Sequence, residues 1–456
     1  MDIEAELPDD PHALTPAKVG QVIAALDEDD LGSLRTLVEP LHAADLAELV
    51  EQIAPDERRA LIEALRADLD PELLAELEGT VRAEVVEQLG PVEVAAALNA
   101  LDSDDAVQVL DDMDAEERAE VLEAMAPADR ALLESGLAFP EDSAGRLMQR
   151  ELVAVPQFWS VGRTMVHLRE APELPDRFYE IFVVDPAWHV VGTVPLDRLL
   201  KTHRDATIDA IMDREQHLVL ATMDQEQVGY LFQKYRLMSA AVIDGEGRLI
   251  GMITSDDVAD VIAEEVEEDV LRLGGVSGGD LAEPTLVTTG RRFSWLFVNL
   301  LTAILASAVI GLFEATIQQV VALAVLMPIV ASQGGNAATQ TLTVAVRALA
   351  TRELTSTNAL RVVARESLVG LANGVMFAAI IGLVGGIWFQ NLVIGLVLAG
   401  AMVINMVVAG LAGVGVPLTL ARLKIDPAIA SGVFVTTVTD VVGFFAFLGL
   451  ASLVLV

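Results

Sequence analysis

The feature that most constrains this chain is the run of five long apolar stretches in its last third, near residues 294–313, 317–345, 362–388, 391–420 and 428–455. Each is long enough to cross about 30 Å of hydrocarbon as a helix. What precedes them is built for a different solvent. Residues 290–456 hold eight Lys or Arg and five Asp or Glu, so of the formal net charge of −39 the first 289 residues carry −42. A chain of 456 residues divided in this way is expected to combine several aqueous domains with a polytopic membrane domain of five transmembrane helices.

Basic residues set the expected topology. Arg291 and Arg292 precede the first stretch, Arg347, Arg352, Arg361 and Arg365 separate the second from the third, and Arg422 and Lys424 separate the fourth from the fifth. The connections at 314–316 and 389–391 hold no Lys or Arg. The positive-inside rule then puts the N-terminal domains in the cytoplasm and Val456 outside a cell membrane. The acidic, polar start MDIEAELPDD does not read as a signal peptide.

Composition also removes whole classes of chemistry. There is no Cys, and the six histidines (His12, His42, His167, His189, His203, His217) lie outside the apolar stretches at spacings that make no ligand pair. Any metal site is expected to be built from oxygen, which suits Mg²⁺ or Ca²⁺. The acidity argues against nucleic acid and for cations as partners. No P-loop, Ser-His-Asp set or HExxH occurs, and the spans hold no His, Lys or Cys to act as nucleophile or base, so the chain is not expected to be an enzyme.

Residues 15–138 show short amphipathic helical segments. An apolar residue followed by a turn signal recurs in steps of twelve, at Leu41, Ile53, Leu89, Leu101, Met113 and Met125. Units this short must stack on their neighbours, which predicts an α-helical, superhelical N domain. From Glu141 the pattern changes to β-branched runs alternating with helical ones. A strand ending in Asp185 continues through Gly192, and a strand ending in Asp244 continues through Gly251, a duplication of about sixty residues. The pair resembles tandem CBS domains, α/β regulatory modules. An acidic helix follows, then a Gly-rich connector (Gly274, Gly275, Gly278, Gly279) that leads to Arg291.

Two polar features stand inside the apolar stretches. Asp440, flanked by Thr436, Thr437 and Thr439, lies well inside the fifth, where a carboxylate costs roughly 2.5–3.5 kcal/mol to insert. No basic residue of any span can pair with it within one subunit, which leaves another subunit, a proton or a cation. A symmetric dimer would bring two such carboxylates together at its axis. In the second stretch Pro328 and Gly334-Gly335 are expected to loosen the helix and turn carbonyls near Asn336 toward a water-filled path, with Ser332, Gln333, Thr339 and Gln340 adding neutral oxygens. Glu314 and Asp426 mark span boundaries.

The segments Gly311–Glu314, Gly334–Gln340, Arg347–Leu354, Asp426–Ala428 and Thr439–Gly443, together with Asp142–Met148 ahead of the CBS pair, resemble the MgtE family of magnesium channels and transporters over nearly the whole chain. The resemblance implies a helical N domain (1–139), two CBS domains (140–203 and 204–262), a connecting plug helix (263–290) and a transmembrane pore domain (291–456). It implies a membrane-embedded homodimer with the pore on its axis, Asp440 from each subunit binding hydrated Mg²⁺, and Asn336 near the pore mouth. A pair of carboxylates touching the hydration shell suits an ion that sheds water reluctantly. Gating by intracellular Mg²⁺ is implied too, and this sequence supplies carboxylates for it in Asp256, Asp257, Asp260, Glu264, Glu265, Glu267, Glu268 and Asp269. Of these, residues 257, 260, 264, 265 and 268 share one helix face. Divalent ions held between that face and acidic patches such as Asp224 and Glu226 or Asp104 and Asp105 would draw the domains together, and Asp269 and Asp426 are expected metal ligands as well.

The sequence departs from the CBS pattern at the nucleotide site. The second module has Thr254 with Asp257, as ATP binding needs, whereas the first has Pro195 and Asp197. Arg236 stands where the family can place acids, so part of the sensor can differ. Coupled transport or efflux of Mg²⁺ or other divalent cations, and a membrane-anchored CBS sensor, are the competing readings.

Overall fold

The computed structural model describes residues 13–171, 174–175, 177–276 and 284–455; Gly278 and Gly279 of the connector, and His12, lie outside the described residues. The chain divides into two compact units between Glu264 and Glu265.

In the first unit the stretch from Pro16–Asp27 to Pro127–Leu137 forms α-helices joined by tight turns, with one short 3₁₀ segment. The twelve-residue step is the interval between helix starts. His42, Ala54, Glu78, Gly90, Asp102, Asp114 and Ala126 are successive N-caps on that step, with one position, residue 66, skipped. The residue before each cap is apolar and packs into one core, as Ile53, Leu77, Leu89, Met113 and Met125 do. This is where a hydrophobic residue fixes the angle at which the chain enters a helix. Arg58, Arg82 and Arg118 stand four residues after a cap. Each donates to a carbonyl at the end of an earlier segment (Val50, Ala75 and Met113, all at 2.9 Å), satisfying acceptors that helix ends leave open.

Two small sheets follow, each of three strands. In the first, β1 (Ala154–Pro156) is parallel to β2 (Glu180–Val184), which is antiparallel to β3 (Val190–Pro195). The second repeats this with β4 (Val219–Leu220), β5 (Ser239–Ile243) and β6 (Leu249–Thr254), down to the register shift one residue before the end of the middle strand. The hairpin turns match as well: Asp185 Oδ1 accepts from the amides of Ala187 and His189, and Asp244 Oδ1 from those of Glu246 and Arg248.

The two modules exchange their leading segments. Ala144 and Met148, ahead of the first sheet, are buried in the core of the second with Val219, Val242 and Ile253. Ile208 and Met212, ahead of the second sheet, are buried in the core of the first with Val155, Val183 and Val194. Gly192 and Gly251 make this crossing fit: a Cβ on the former would meet Met212 Sδ at 2.8 Å, and on the latter Met148 Sδ at 2.7 Å. Each module is therefore completed by residues that lie, in sequence, on the far side of residue 203, where the two are expected to meet.

The helix α1 (Ser255–Leu273) starts directly from β6. In the second unit come α2 (Thr285–Gly311), the short α3 (Glu314–Gln319), α4 (Ala322–Ala350), α5 (Ala359–Trp388), α6 (Leu392–Arg422) and α7 (Pro427–Val454). Among the described residues four helices are long and apolar enough to cross a membrane: α2, α5, α6 and residues 432–454 of α7. The equally long α4 is not among them. Its centre is diluted by Pro328, Ser332, Gln333, Asn336, Thr339 and Gln340. α6 is the most enclosed of the set and packs against α4, α5 and α7.

Candidate ion path and acidic clusters

Most polar residues of α4 fall on one face, with Gln333 and Thr341 off it and only partly exposed. Pro328, Ser332, Asn336, Thr339, Gln340 and Thr343 are exposed, while Val330, Gly334, Ala338, Leu342 and Val346 are buried. That is the 3.6-residue period of an amphipathic helix, here in a segment bordered by apolar ones. The helix runs unbroken through Pro328 and Gly334-Gly335. The expected opening of its backbone near Asn336 does not occur, because Gly334 serves close packing. A Cβ there would lie 2.1 Å from Nδ2 of Asn405 on α6. What α4 presents on its exposed face are side-chain oxygens.

α7 runs beside α4, close enough that a Cβ on Gly335 would lie 3.9 Å from the Thr436 methyl. Asp440, one turn beyond Thr436, is half-buried and takes part in none of the described hydrogen bonds or ion pairs. The flanking threonines divide. Thr436 and Thr437 are partly exposed and donate to the carbonyls of Gly432 and Val433 in their own helix, which leaves hydroxyl lone pairs free. Thr439 is fully buried and donates to the Thr436 carbonyl at 2.9 Å.

A second group of acids surrounds the start of helix Ser103–Asp112 in the first unit. Glu151 holds that helix end by accepting from the amide and hydroxyl of Ser103, and Arg146 pairs with Asp111 at 2.6 Å. This brings Asp104 and Asp105 near Asp257 in the first turn of α1. Burial, then the neighbouring Asp257 and Asp105 charges, pushes Asp104 well above the usual carboxylate range. Burial and Asp257 push Asp105 up to about 7. Asp257 is raised in turn, chiefly by burial, against the lowering effect of bonds from the Thr254 amide and hydroxyl (3.2 and 2.6 Å). Asp260 and Glu76 shift upward for the same reason, burial first. Arg82 lies near enough to Asp105 and Glu264 to feel both, but its guanidinium is bonded to Asp112.

The expected pairing of Thr254 with Asp257 is thus present, as a direct hydrogen bond. Asp224 and Glu226 are not among the charges acting most strongly on the cluster. Asp224 caps helix Gln225–Tyr235 by accepting from the Glu226 amide at 3.0 Å, and Arg236 ends that helix in a left-handed conformation (φ 54°).

In the second unit Arg272 of α1 contacts both Glu268 and Asp426. Asp426 also caps α7, accepting from the Ala428 amide at 2.7 Å. Burial, then Asp426 and Glu265, raises Asp269 beside them. Arg272 was not picked out from the sequence, since nothing in its spacing ties it to a residue 154 positions away. Among the described residues no three carboxylates or imidazoles stand close enough to form a ready-made metal cage.

The profile of MgtE, described as a divalent cation transporter, matches residues 327–450; that of the MgtE intracellular N domain matches residues 41–142, and that of the CBS domain residues 208–264. The magnesium transporter MgtE of Thermus thermophilus is 34% identical over 439 residues, 94% of this chain and 97% of that protein. The magnesium transporter MgtE of Bacillus subtilis is 31% identical over 316 residues, 69% of this chain and 70% of that protein. Among solved structures, the cytosolic domain of the Mg²⁺ channel MgtE in complex with ATP superposes with a TM-score of 0.50 at 30% identity, over 53% of this chain and 99% of that one.

Proposed function

Because the chain belongs to the MgtE family of magnesium transporters, a multi-pass membrane family with CBS domains, we propose that it conducts Mg²⁺ into the cell through a path lined by α4 and α7. The observation that carries this reading is Asp440: a carboxylate without a partner among the described residues, inside an apolar helix, beside a helix whose exposed face is a line of hydroxyls and amides. A lipid-facing position would make both costly, whereas a hydrated cation compensates both. Asp440 would contact the ion through its water shell and Asn336 would stand near the path's mouth.

The arrangement we propose has five spans, α4 being the least apolar, in the order N domain (1–139), two CBS domains (140–203 and 204–262), connecting plug helix (263–290) and pore domain (291–456). The helical repeat forms a superhelix, and the N-terminal domains are cytoplasmic. A homodimer in the lipid bilayer pairs the two Asp440 carboxylates across its axis. Intracellular Mg²⁺ closes the path by binding at two places. In the first unit Asp104, Asp105, Asp257 and Asp260 supply the oxygens, with Asp224 and Glu226 at its margin. In the second, Glu265, Glu268, Asp269 and Asp426 do so. Outer-sphere binding fits both, since Mg²⁺ keeps several waters and needs no closed cage. ATP is a further ligand of the reading, at Thr254 and Asp257, supported by the ATP complex of the related cytosolic domain.

The test is Mg²⁺ uptake into vesicles holding the intact chain, with a membrane potential and a proton gradient imposed separately. Uptake that follows the potential supports a channel. Uptake that needs the proton gradient replaces it with a coupled carrier, and no uptake by folded protein leaves a CBS-based sensor.

A further inference from the structure

α6 carries one polar side chain between Leu392 and Pro417, and it is Asn405. It is fully buried. Its Nδ2 donates to the backbone carbonyl of Val330 in α4 at 2.9 Å, and its Oδ1 is among the buried polar atoms left without a partner. Two other helices meet at this side chain through glycines. A Cβ on Gly334 of α4 would lie 2.1 Å from Nδ2, and one on Gly443 of α7 would lie 2.7 Å from it. No larger residue fits at either point while Asn405 stays in place.

The positions of those glycines matter. Gly334 is two residues before Asn336, and Gly443 is three residues after Asp440, so one side chain reaches within about a turn of both groups assigned to the ion path. The two contacts are of different kinds. α4 is bonded to Asn405, whereas α7 only touches it, since Oδ1 receives no donor from Gly443 or its neighbours.

We propose that Asn405 is a positioning residue for ion selection: it fixes the rotation and separation of α4 relative to α7, and so the placing of Asn336 and its neighbouring oxygens opposite Asp440. The inference rests on the proposed conduction path. Asn405 touches no ion. It acts through the two helices that do, and at Gly443 it holds α7 by packing alone, without a hydrogen bond. A path that recognises a hydrated ion is sensitive to small changes in the spacing of its oxygens, because the water shell offers a fixed outline to match.

The experiment uses the full chain in proteoliposomes and reads uptake of Mg²⁺ and of Ca²⁺ at matched amounts of monodisperse protein. Asn405→Leu keeps the branching at Cγ and removes both polar atoms, at the cost of a bulkier end; it is expected to lower the Mg²⁺:Ca²⁺ uptake ratio at least threefold. Asn405→Ser, which keeps a hydroxyl donor, is expected to recover part of the ratio. Should Asn405→Leu not fold, Gly443→Ala, which drives a methyl against Nδ2, carries the same test. An unchanged ratio in a folded variant overturns the proposal even if total uptake falls, since a merely structural role would change only the number of working molecules. If the intact chain itself takes up no Mg²⁺, the conduction path fails first, an outcome distinct from an intact chain that conducts and variants that conduct with the same ratio.

Discussion

The two units treat carboxylates in opposite ways. In the first, Asp104, Asp105 and Asp257 crowd one partly buried place with Glu76 and Asp260 around them, and Arg82 is committed to Asp112. In the second, Asp440 has no partner among the described residues, and Asp426 at the start of the same helix is matched by Arg272. Crowding stores repulsion that protons or divalent ions relieve, which makes a region responsive to their concentration. Isolation stores an unmet charge that a passing cation relieves for as long as it stays. A transporter that both senses and conducts the same ion needs one of each.

The strongest challenge to this contrast is to empty the crowded site. Replacing Asp104, Asp105 and Asp257 together by Asn should leave Mg²⁺ uptake in place while weakening its inhibition by Mg²⁺ on the cytosolic face, raising the inhibiting concentration at least tenfold. Flux assays with Mg²⁺ held inside the vesicles check it. Inhibition that survives intact would move sensing to another place.

A smaller effect is expected at Arg272. Arg272→Ala leaves Glu268 and Asp426 facing each other with Asp269 nearby, so the second unit should lean more heavily on divalent ions than it does with the guanidinium in place. The predicted outcome is a shift of a few-fold in Mg²⁺ sensitivity, with hydrogen exchange at the start of α7 slowed by Mg²⁺ in the variant more than in the intact chain.

The smallest is a pH effect on stability. Asp105 keeps its proton up to about pH 7 in the fold, but the unfolded chain releases it near the ordinary value of 3.8. Its folded pKa is the higher one, so the contribution is fully present below pH 3.8 and is lost as pH rises through 7. Thermal midpoints of the intact chain and of Asp105→Asn, measured in EDTA, should therefore diverge with rising pH in favour of the variant. Each kcal/mol corresponds to about 2–4 °C for a region of this size. Millimolar Mg²⁺ should shrink the gap, because an ion bound only by the folded state stabilises it.

Much of this architecture can be read from residue order. Apolar stretches of membrane length, the twelve-residue step of helix caps and the repeated Asp185 and Asp244 turns all depend on neighbours within a few positions. Family membership was legible for the same reason, through short motifs in order. What escaped depends on contacts between distant segments. Met148 and Met212 complete the module on the far side of the presumed boundary, Arg272 finds Asp426, and Asn405 looks in sequence like an isolated polar residue in an apolar helix. The Gly334-Gly335 pair was legible as unusual but not in its meaning: glycine permits both unwinding and close approach, and only the position of Asn405 decides between them.

The most direct measurement is Mg²⁺ uptake into proteoliposomes by the intact chain and by Asp440→Ala, at equal protein and equal potential. The account predicts that the intact chain fills the vesicles and that the variant, folded and inserted to the same extent, falls to the level of empty vesicles. Equal uptake by the two would show that the ion crosses elsewhere and that the unpaired carboxylate of α7 serves another purpose.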